Sequence, residues 1–360
     1  MQEANGLRAE PLEVRLTPEA FAKHSGGVRR TALGLLAALR EAGAPVSVST
    51  FIASTTTQTS PVPSHLRRAL LQAAETAYFA RRRLHRERGI AHSLYYDQQL
   101  RAADWPLVVT VHDVIHERFG AGSAALRWAK RLAVHRAALI ITPSRATASD
   151  VRTLFPEAGS KVITIPWGIS SVFLDDGPDD RQVEPDRPFL LHVGARSGYK
   201  NLAVLVRALE SAPDLDDFRL VLVGGEPLLE AERASLVDAL GSPERLSHFE
   251  SAADEDLRRL YDAAAALVVT SRYEGFGLPV LEAMARGCPV ACARGGSLEE
   301  VSGGLAATFD PDAVAECAVA IREAVAAPGH LREAAQAQAR EYDWMRAARA
   351  HIDAYAGVAP

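Results

Sequence analysis

Short apolar runs rich in β-branched residues alternate with helical patterns along almost the whole chain. This alternation predicts parallel strands joined by crossover helices, because parallel neighbours cannot be connected by a tight turn. In the first half the predicted strands are Leu12–Leu16, Val46–Phe51, Ile90–Ser93, Leu107–Val111, Leu139–Thr142 and Val162–Ile165. In the second half they are Phe189–Val193, Leu220–Val223, Leu246–Phe249, Leu267–Thr270, Pro289–Ala293 and Ala307–Phe309. The predicted fold class is therefore α/β with two parallel sheets.

A polar, acidic and proline-rich stretch, DDGPDDRQVEPDRP at residues 175–188, interrupts the alternation. Such a composition is typical of an interdomain linker. The length of 360 residues also suits about two domains, each able to bury its own core. Because open parallel sheets bind ligands at the carboxyl ends of their strands, we expect a ligand cleft between the two halves.

The charge and the cysteine content argue against several classes of protein. With 40 basic and 45 acidic residues the net charge is −5, which disfavours a nucleic-acid partner. No apolar stretch reaches the roughly 18 to 20 residues that span a bilayer, and residues 1–10 are mixed and polar, so we expect neither a membrane span nor export. The three cysteines, Cys288, Cys292 and Cys317, fit a reducing cytoplasm and exclude a disulfide scaffold or a Cys-based zinc site.

The most informative motif is YEGFGLPVLEAMA at residues 273–285, which follows an apolar strand. A glycine-flanked turn there leads into a helix that begins at Leu278-Pro279. The free N–H groups and the positive dipole end at such a helix start suit a diphosphate. Glu274 and Glu282 flank this site, and carboxylates accept hydrogen bonds from the vicinal hydroxyls of a sugar or a ribose. The alternative for Glu282 alone is electrostatic support of its own helix.

A second motif, HVGARSGYKN at residues 192–201, places Gly194, Arg196 and Lys200 at the end of a predicted strand. Two cations there would neutralise a departing diphosphate. Lys200 is one of only four lysines among the 40 basic residues, which suggests a need for a compact point charge. We interpret Lys130 and Lys161 as incidental. The alternative for Arg196 is an ion pair with the acidic linker.

Two weaker motifs lie in the first half. Gly26-Gly27 opens a predicted helix and permits close approach of a phosphate or sugar, or forms a plain tight turn. In VVTVHDVIHE, His112 and His116 have the i, i+4 spacing of zinc ligands. We do not predict a zinc site here, because His112 lies at the end of a predicted strand and no third ligand is evident. We expect His116 and Glu117 to order the following loop.

The string EGFGLPVLEAMA, followed by Gly287-Cys288-Pro289-Val290 and Gly295-Gly296-Ser297, resembles the signature of the family 4 retaining glycosyltransferases of the GT-B fold. The resemblance extends from Lys23 to about Asp310. The segments KHSGGVRR and AHSLYYDQQL and the YKN ending of the second motif are similar to a branch that builds bacterial surface and antibiotic glycans.

This resemblance implies two Rossmann-like domains that face each other across a cleft. Residues 1–172 would bind the acceptor, completed by a final helix at 342–360, and residues 173–341 would bind the nucleotide sugar. By the roles known in the family, Glu274 and His112 would contact the transferred sugar of the donor, and Glu282 would bind the ribose. Arg196 and Lys200 would bind the diphosphate, and the backbone at Phe276, Gly277 and Leu278 would contact both sugar and diphosphate. Gly26 and Gly27 would face donor and acceptor. Further donor contacts are expected at Gly194, Gly224, Phe249 and Glu250. Tyr96, Asp97 and Asp113 are expected on the acceptor side, with Tyr95 in the core.

The implied activity is transfer of a hexose from a nucleotide diphosphate sugar to a hydroxyl of a glycan or lipid-linked acceptor, with retention and without a metal ion or other cofactor. GDP-mannose is the first choice of donor, and UDP- or dTDP-sugars are alternatives. Two rival functions are a nucleotide-sugar epimerase of the same fold and a non-catalytic sugar-nucleotide-binding subunit.

A predicted helix at residues 65–88 carries a cluster of arginines from Arg67 to Arg88. This cluster would contact an anionic membrane, or else form a solvated face or a subunit contact.

Overall fold

The structure is a computed structural model that describes residues 13–17, 20–21, 26–47, 64–84, 88–96, 104–175, 187–196 and 198–359. The strands are β1 Glu13–Leu16, β2 Val46–Ser47, β3 Gly89–Ser93, β4 Leu107–Thr110, β5 Leu139–Thr142, β6 Val162–Thr164, β7 Phe189–Val193, β8 Arg219–Val223, β9 Leu246–Phe249, β10 Ala266–Val269, β11 Val290–Ala293 and β12 Ala307–Phe309. The helices are α1 Gly27–Glu41, α2 Ser64–Leu84, α3 Ile115–Arg118, α4 Ala124–Arg136, α5 Arg145–Leu154, α6 Ser171–Leu174, α7 Leu202–Glu210, α8 Glu230–Leu240, α9 Asp254–Ala263, α10 Leu278–Ala285, α11 Leu298–Ser302, α12 Val314–Val325, α13 Gly329–Arg340 and α14 Trp344–Ala356.

The strands form two six-stranded sheets, and every pairing in both sheets is parallel. The first has the order β2-β1-β3-β4-β5-β6 and the second β12-β11-β10-β7-β8-β9. The α/β prediction is thus confirmed. In the second sheet the chain reverses its direction of travel between β7 and β10, so the loops that follow these two strands meet at the topological switch point.

Two apolar layers cover the first sheet. One contains α1 and the final helix α14, and the other contains α2, α4 and α5. As the resemblance implied, α14 crosses back from the second half to pack on α1. The close approach needs glycines: a Cβ on Gly34 would lie 2.4 Å from Trp344 Cε2, and one on Gly168 would lie 2.3 Å from the Trp344 nitrogen. Asp343 begins the helix by accepting hydrogen bonds from the Met345 and Arg346 nitrogens at 3.0 and 3.3 Å.

Two sequence predictions at one edge of the first sheet fall only partly on the described residues. Of the strand predicted at residues 46–51, β2 covers Val46–Ser47, and residues 48–63 lie outside the described part. The basic helix is described from Ser64 to Leu84, residues 85–87 lie outside the described part, and Arg88 is not helical. None of the described helices is both long enough and apolar enough to cross a bilayer. The domain boundary at residues 172 and 173 stays a prediction.

A buried polar cluster joins α14 to the first sheet. His92 on β3 bonds the Tyr355 hydroxyl through Nδ1 at 2.7 Å and the Thr110 hydroxyl through Nε2 at 2.8 Å. His351 lies beside it, with a ring-centroid distance of 5.8 Å. Burial lowers the pKa of His351 to about 4 and holds the pKa of His92 well below its ordinary value. Both rings are therefore neutral in the native protein near neutral pH.

We expect acid to destabilise the protein through this cluster. Between pH 6.5 and pH 4 these two histidines bind protons in the unfolded chain but stay neutral in the native protein. The free energy of unfolding is therefore at its full value above about pH 6.5 and decreases as the pH is lowered. The loss at pH 5 is about 2 kcal/mol for His351, and His92 contributes in the same direction. Urea unfolding at pH 7.5 and 5.0 measures it. His351→Gln should reduce the difference, whereas the exposed His330→Gln should not; an equal difference in all three proteins would contradict the assignment.

Candidate functional site

The second sheet positions a glycine-lined site at the ends of β7 and β8. Gly194 and Gly224 follow these strands with φ angles of 131° and 97°, which only glycine adopts readily. A Cβ on Gly224 would lie 3.3 Å from the Gly194 oxygen, and one on Gly194 would lie 3.8 Å from Lys200 Nζ. The two backbones are thus stacked closely, and the Lys200 ammonium lies against them.

Lys200 and Glu274 form an ion pair at the switch point. The Nζ–Oε1 distance is 2.6 Å, and the two side chains are 18% and 16% exposed. The Thr270 hydroxyl at the end of β10 donates to the Lys200 carbonyl at 2.6 Å, which fixes the lysine backbone. Burial would lower the pKa of Lys200, but the charge and hydrogen bond of Glu274, together with Tyr199 and Asp113, outweigh it, and the pKa lies above its ordinary value. Lys200 therefore keeps its charge over the physiological pH range.

The loop that carries Glu274 is held between the two halves of the molecule. The Gly275 carbonyl accepts hydrogen bonds from Ser144 Oγ at 2.8 Å and Thr147 Oγ1 at 3.0 Å, both from the start of α5. The Glu274 carbonyl accepts from the nitrogen and the hydroxyl of Ser297, both at 3.0 Å. A Cβ on Gly275 would lie 2.0 Å from the His112 oxygen. The sequence motif is therefore also the point where the two halves touch.

The second carboxylate of the motif, Glu282, lies one turn inside α10 and is 1% exposed. Its Oε2 accepts from the Tyr261 hydroxyl at 3.0 Å, and its Oε1 is 2.8 Å from Arg30 on α1. Burial raises the pKa of Glu282 above its ordinary value, and the charge of Arg30 opposes this. Glu282 has partners in both halves of the molecule, so it does more than support its own helix.

Arg196 has a set of internal partners among the described residues. Its guanidinium contacts the Glu232 carboxylate at 2.9 Å, the Gly224 and Glu226 carbonyls at 3.1 and 2.6 Å, and His248 Nε2 at 3.0 Å. Its described carboxylate partner is thus on α8, whereas linker residues 176–186, the predicted alternative, lie outside the described residues. Binding of a diphosphate by Arg196 stays a prediction. To bind it, the guanidinium would have to exchange some of these hydrogen bonds for bonds to the phosphate oxygens.

An aromatic row crosses the cleft beside these charges. His112 Nε2 donates to the Leu94 carbonyl at 2.7 Å, and its ring lies 5.1 Å from the Trp167 ring. Trp167 in turn contacts Phe276 at 5.2 Å in an edge-to-face arrangement. The sequence prediction missed Trp167; its signal is a large aromatic residue directly before Gly168, where the chain leaves the first sheet.

Two family models match this chain. The model "Glycosyltransferase Family 4" matches residues 25–172, and the model "Glycosyl transferases group 1" matches residues 177–342. The chain belongs to the family 4 glycosyltransferases. The paired carboxylates and Lys200 lie in the part that the second model matches.

Similar proteins include two mannosyltransferases. The O-antigen chain mannosyltransferase B of Escherichia coli is 30% identical over 231 residues, 61% of this chain and 60% of its own length. The MMP alpha-(1->4)-mannosyltransferase of Mycolicibacterium hassiacum is 29% identical over 220 residues, 57% of this chain and 52% of its own length. The chain thus spans between 52% and 60% of the length of these curated relatives.

Solved structures show the GT-B fold over nearly the whole chain. Sucrose-phosphate synthase from Thermosynechococcus elongatus has a TM-score of 0.76 at 22% identity and covers 96% of this chain and 98% of its own. Anabaena HepE in complex with UDP-glucose has a TM-score of 0.75 at 19% identity and covers 96% of this chain and 100% of its own. At sequence identities of 22% and 19%, this structural similarity shows the fold alone.

Lys130 is a structural residue beside the segment that follows β4. It is 1% exposed, and its Nζ donates to the Asp113 carbonyl at 2.7 Å and to Glu117 Oε2 at 2.8 Å. The interpretation of Lys130 as incidental was therefore wrong: it holds the segment that follows β4. Within the described residues no group of histidines, cysteines or acidic side chains is arranged to hold a metal ion.

The structure corrects the predicted acceptor side. Tyr96 is 2% exposed, with Tyr95 stacked at 5.2 Å and Lys130 Nζ 5.3 Å from its ring centre. Its ring is part of the core, because both neighbours cover it, and it presents no face to an acceptor. Tyr95 is the more exposed of the two, the reverse of the expectation. Asp97 lies outside the described residues.

Asp113 does face the cleft. Its Oδ1 accepts from the Ile115 nitrogen at 3.0 Å, and its charge adds to that of Glu274 in raising the pKa of Lys200. A Cβ on Gly275 would lie 2.8 Å from the Asp113 Cβ, so the two backbones approach closely. The acceptor-side wall thus places Asp113 near the Lys200–Glu274 pair.

The remaining predicted donor contacts differ in exposure. Phe249 is 48% exposed and Glu250 is exposed, both at the end of β9. Phe276 is 3% exposed, so its side chain packs while its backbone lines the turn. Gly277 precedes α10 with a φ of 96°, and the half-buried Leu278 begins that helix. A Cβ on Gly26 or Gly27 would meet none of the described atoms within 4 Å, so these two glycines leave room beside the start of α1.

Proposed function

We propose that this chain transfers a hexose from a nucleotide diphosphate sugar to an acceptor hydroxyl with retention of configuration. The observation that carries the proposal is the Lys200–Glu274 ion pair, 2.6 Å long, at the start of α10. Here Glu274 accepts hydrogen bonds from the sugar, while Lys200 and the helix start bind the diphosphate. Glu282 binds the ribose, and His112 and Asp113 approach from the opposite wall.

In the proposed reaction the bond between the anomeric carbon and the β-phosphate oxygen breaks. The acceptor oxygen bonds to the same face of that carbon, and the hydroxyl proton leaves with the nucleoside diphosphate. Negative charge grows on the diphosphate as its bond breaks, so the Lys200 ammonium stabilises the transition state more than the ground state. Because a fixed cation and a helix start do this, we propose that no metal ion is required, and activity should persist in excess EDTA.

For the donor we propose GDP-mannose, and for the acceptor a bacterial surface glycan or a lipid-linked sugar. Two relatives named as mannosyltransferases support this choice. The complex of HepE with UDP-glucose makes UDP-sugars the competing donors. Phe249 and Glu250, at the end of β9, are where the base would be distinguished.

A thermal-shift panel of GDP-, UDP- and dTDP-sugars tests the donor, because a ligand that binds only the native state raises its stability by an amount that ranks affinity. We expect GDP-mannose to give the largest shift. Proton NMR of the glycoside formed from that donor then reports the anomeric configuration. Epimerised donor without acceptor would favour an epimerase, and binding without turnover would favour a non-catalytic subunit.

We further propose contact with the cytoplasmic face of an anionic membrane through α2. Among its described side chains Arg81 is exposed, as is Arg88 beyond the helix end, whereas Arg82 pairs with Glu13 at 2.5 Å and Arg83 with Asp104 at 3.1 Å. We expect co-sedimentation with phosphatidylglycerol vesicles at low salt and weaker binding by the double variant Arg81→Gln/Arg88→Gln. Equal binding to neutral vesicles, or none at low salt, would refute it.

A further inference from the structure

An arginine of the acceptor-side half reaches across the cleft to the carboxylate assigned to the ribose. Arg30 lies in the first turn of α1, directly after the Gly26-Gly27 loop. Its Nη2 is 2.8 Å from Glu282 Oε1 on α10 and 3.3 Å from Asp254 Oδ1 at the start of α9. A single guanidinium nitrogen thus lies within ion-pair distance of two carboxylates of the nucleotide-side half.

Arg30 supplies the counter-charge of Glu282. It is 1% exposed, and the titratable groups that face it are Arg30 from α1 and Asp254 and Tyr261 from α9. Burial and the charge of Asp254 raise its pKa, whereas Arg30 and the Tyr261 hydroxyl lower it. Arg30 is the one cation of this set. A neutral side chain in its place would leave Glu282 largely protonated, because a buried carboxylate without a counter-charge takes up a proton.

The pair also lies at the polar end of a cavity between the two halves. This cavity has a volume of about 460 Å³ and is lined by Arg30, Gly34, Ser170, Asp254, Glu282 and Trp344, among others. Small-molecule sites have volumes of about 300 to 1,000 Å³. A ligand that enters here meets Glu282 and Arg30 together, one from each half.

We propose that Arg30 is a positioning residue for the nucleotide: it holds Glu282 ionised and oriented, so that the carboxylate accepts both ribose hydroxyls only when α1 lies against α10. This inference rests on the proposed function, in which Glu282 binds the ribose. Ribose binding is thereby coupled to closure of the cleft, since the counter-charge of the ribose-binding group belongs to the opposite half.

The variants that test this are Arg30→Gln and Arg30→Lys, with Arg29→Gln as the matched control. Arg29 is the preceding residue on α1 and points about 100° away around the helix, because the helix has 3.6 residues per turn. Arg30→Lys keeps the charge but replaces the guanidinium by a compact ammonium. Calorimetric titration of each protein with GDP and UDP at pH 6.0, 7.5 and 9.0 gives the affinities.

For the nucleotide that the unmodified protein binds, we expect Arg30→Gln to weaken binding about tenfold at pH 7.5. The deficit should grow at pH 6.0 and shrink at pH 9.0, because Glu282 in this variant ionises only at higher pH. The nucleotide affinity of Arg30→Lys should stay within about threefold of that of the unmodified protein, and the affinity of Arg29→Gln should equal that of the unmodified protein. Without nucleotide, Arg30→Gln should show a larger radius of gyration in small-angle scattering, since it lacks the contact that joins the halves.

Three results would overturn the inference. One is unchanged or tighter nucleotide binding by Arg30→Gln. Another is a loss that is equal at all three pH values or shared by Arg29→Gln, which would indicate a general structural defect rather than control of Glu282. The third is failure of the unmodified protein to bind either nucleotide; in that case the proposed function fails first, and the inference fails with it.

Discussion

Replacement of Glu274 by Gln should reduce kcat/KM about 1,000-fold with little change in thermal stability. The carboxylate pairs with Lys200 at 2.6 Å and, in the proposed function, accepts from the donor sugar, so the amide should weaken the sugar contact and leave the lysine without its counter-charge. Lys200→Met should cost a similar factor, because the diphosphate then loses its nearest cation. Since the two residues act as a unit, the double variant should be little worse than either single one.

Initial rates with the donor chosen from the nucleotide-sugar panel measure this prediction. The matched control is the exposed ion pair of Arg322 and Asp214, with bonds of 2.7 and 2.8 Å, on the surface of the same half. Asp214→Asn should leave the rate unchanged, because exposed pairs contribute little. If Glu274→Gln kept a rate within tenfold of the unmodified protein, the site assignment would be wrong.

Substitution of Gly275 by Ala should reduce turnover about 100-fold through the contact between the two halves. The new Cβ would lie 2.0 Å from the His112 oxygen and 2.8 Å from the Asp113 Cβ, so the halves must separate. The Ser144 and Thr147 bonds to the Gly275 carbonyl would lengthen, and Glu274 would shift relative to His112. Displacements of about 1 Å at reacting groups have costs of this size.

Gly329 supplies the control for this experiment. A Cβ there would meet no atom within 4 Å, and its backbone has no positive φ, so Gly329→Ala should have no effect. Steady-state kinetics and small-angle scattering together separate the outcomes: a slow enzyme with a wider cleft supports the steric account. A Gly275→Ala protein with normal turnover would show that the observed approach of the two halves is not the active arrangement.

Much of the fold could be predicted from the sequence because its signals are local. Alternating strand and helix patterns and right-handed crossovers lead to parallel sheets, and both sheets were found. The turn before α10 was equally accessible, since Gly277 and Pro279 mark a helix start by their backbone preferences alone. For the strand predicted at residues 46–51, the structure confirms Val46–Ser47, and the remainder lies outside the described residues.

The partners of the charged residues could not be predicted in this way. Nothing in the pattern around Arg196 points to Glu232 on α8, because their contact follows from the packing of that helix beside β9. Lys130 was interpreted as incidental because its two partners, the Asp113 carbonyl and the Glu117 carboxylate, come close to it only in the tertiary structure. Tyr96 looked like a cleft residue because burial depends on neighbours distant in sequence.

By itself, then, the sequence determined two parallel α/β halves, a helix start suited to a diphosphate, and the residue types gathered there, because each depends on contacts within a few residues. The tertiary structure alone decided which charges meet: Lys200 with Glu274, and Arg30 with Glu282 across the cleft. The physical reason is that ion pairing and burial depend on distances of a few ångströms between segments that lie far apart along the chain.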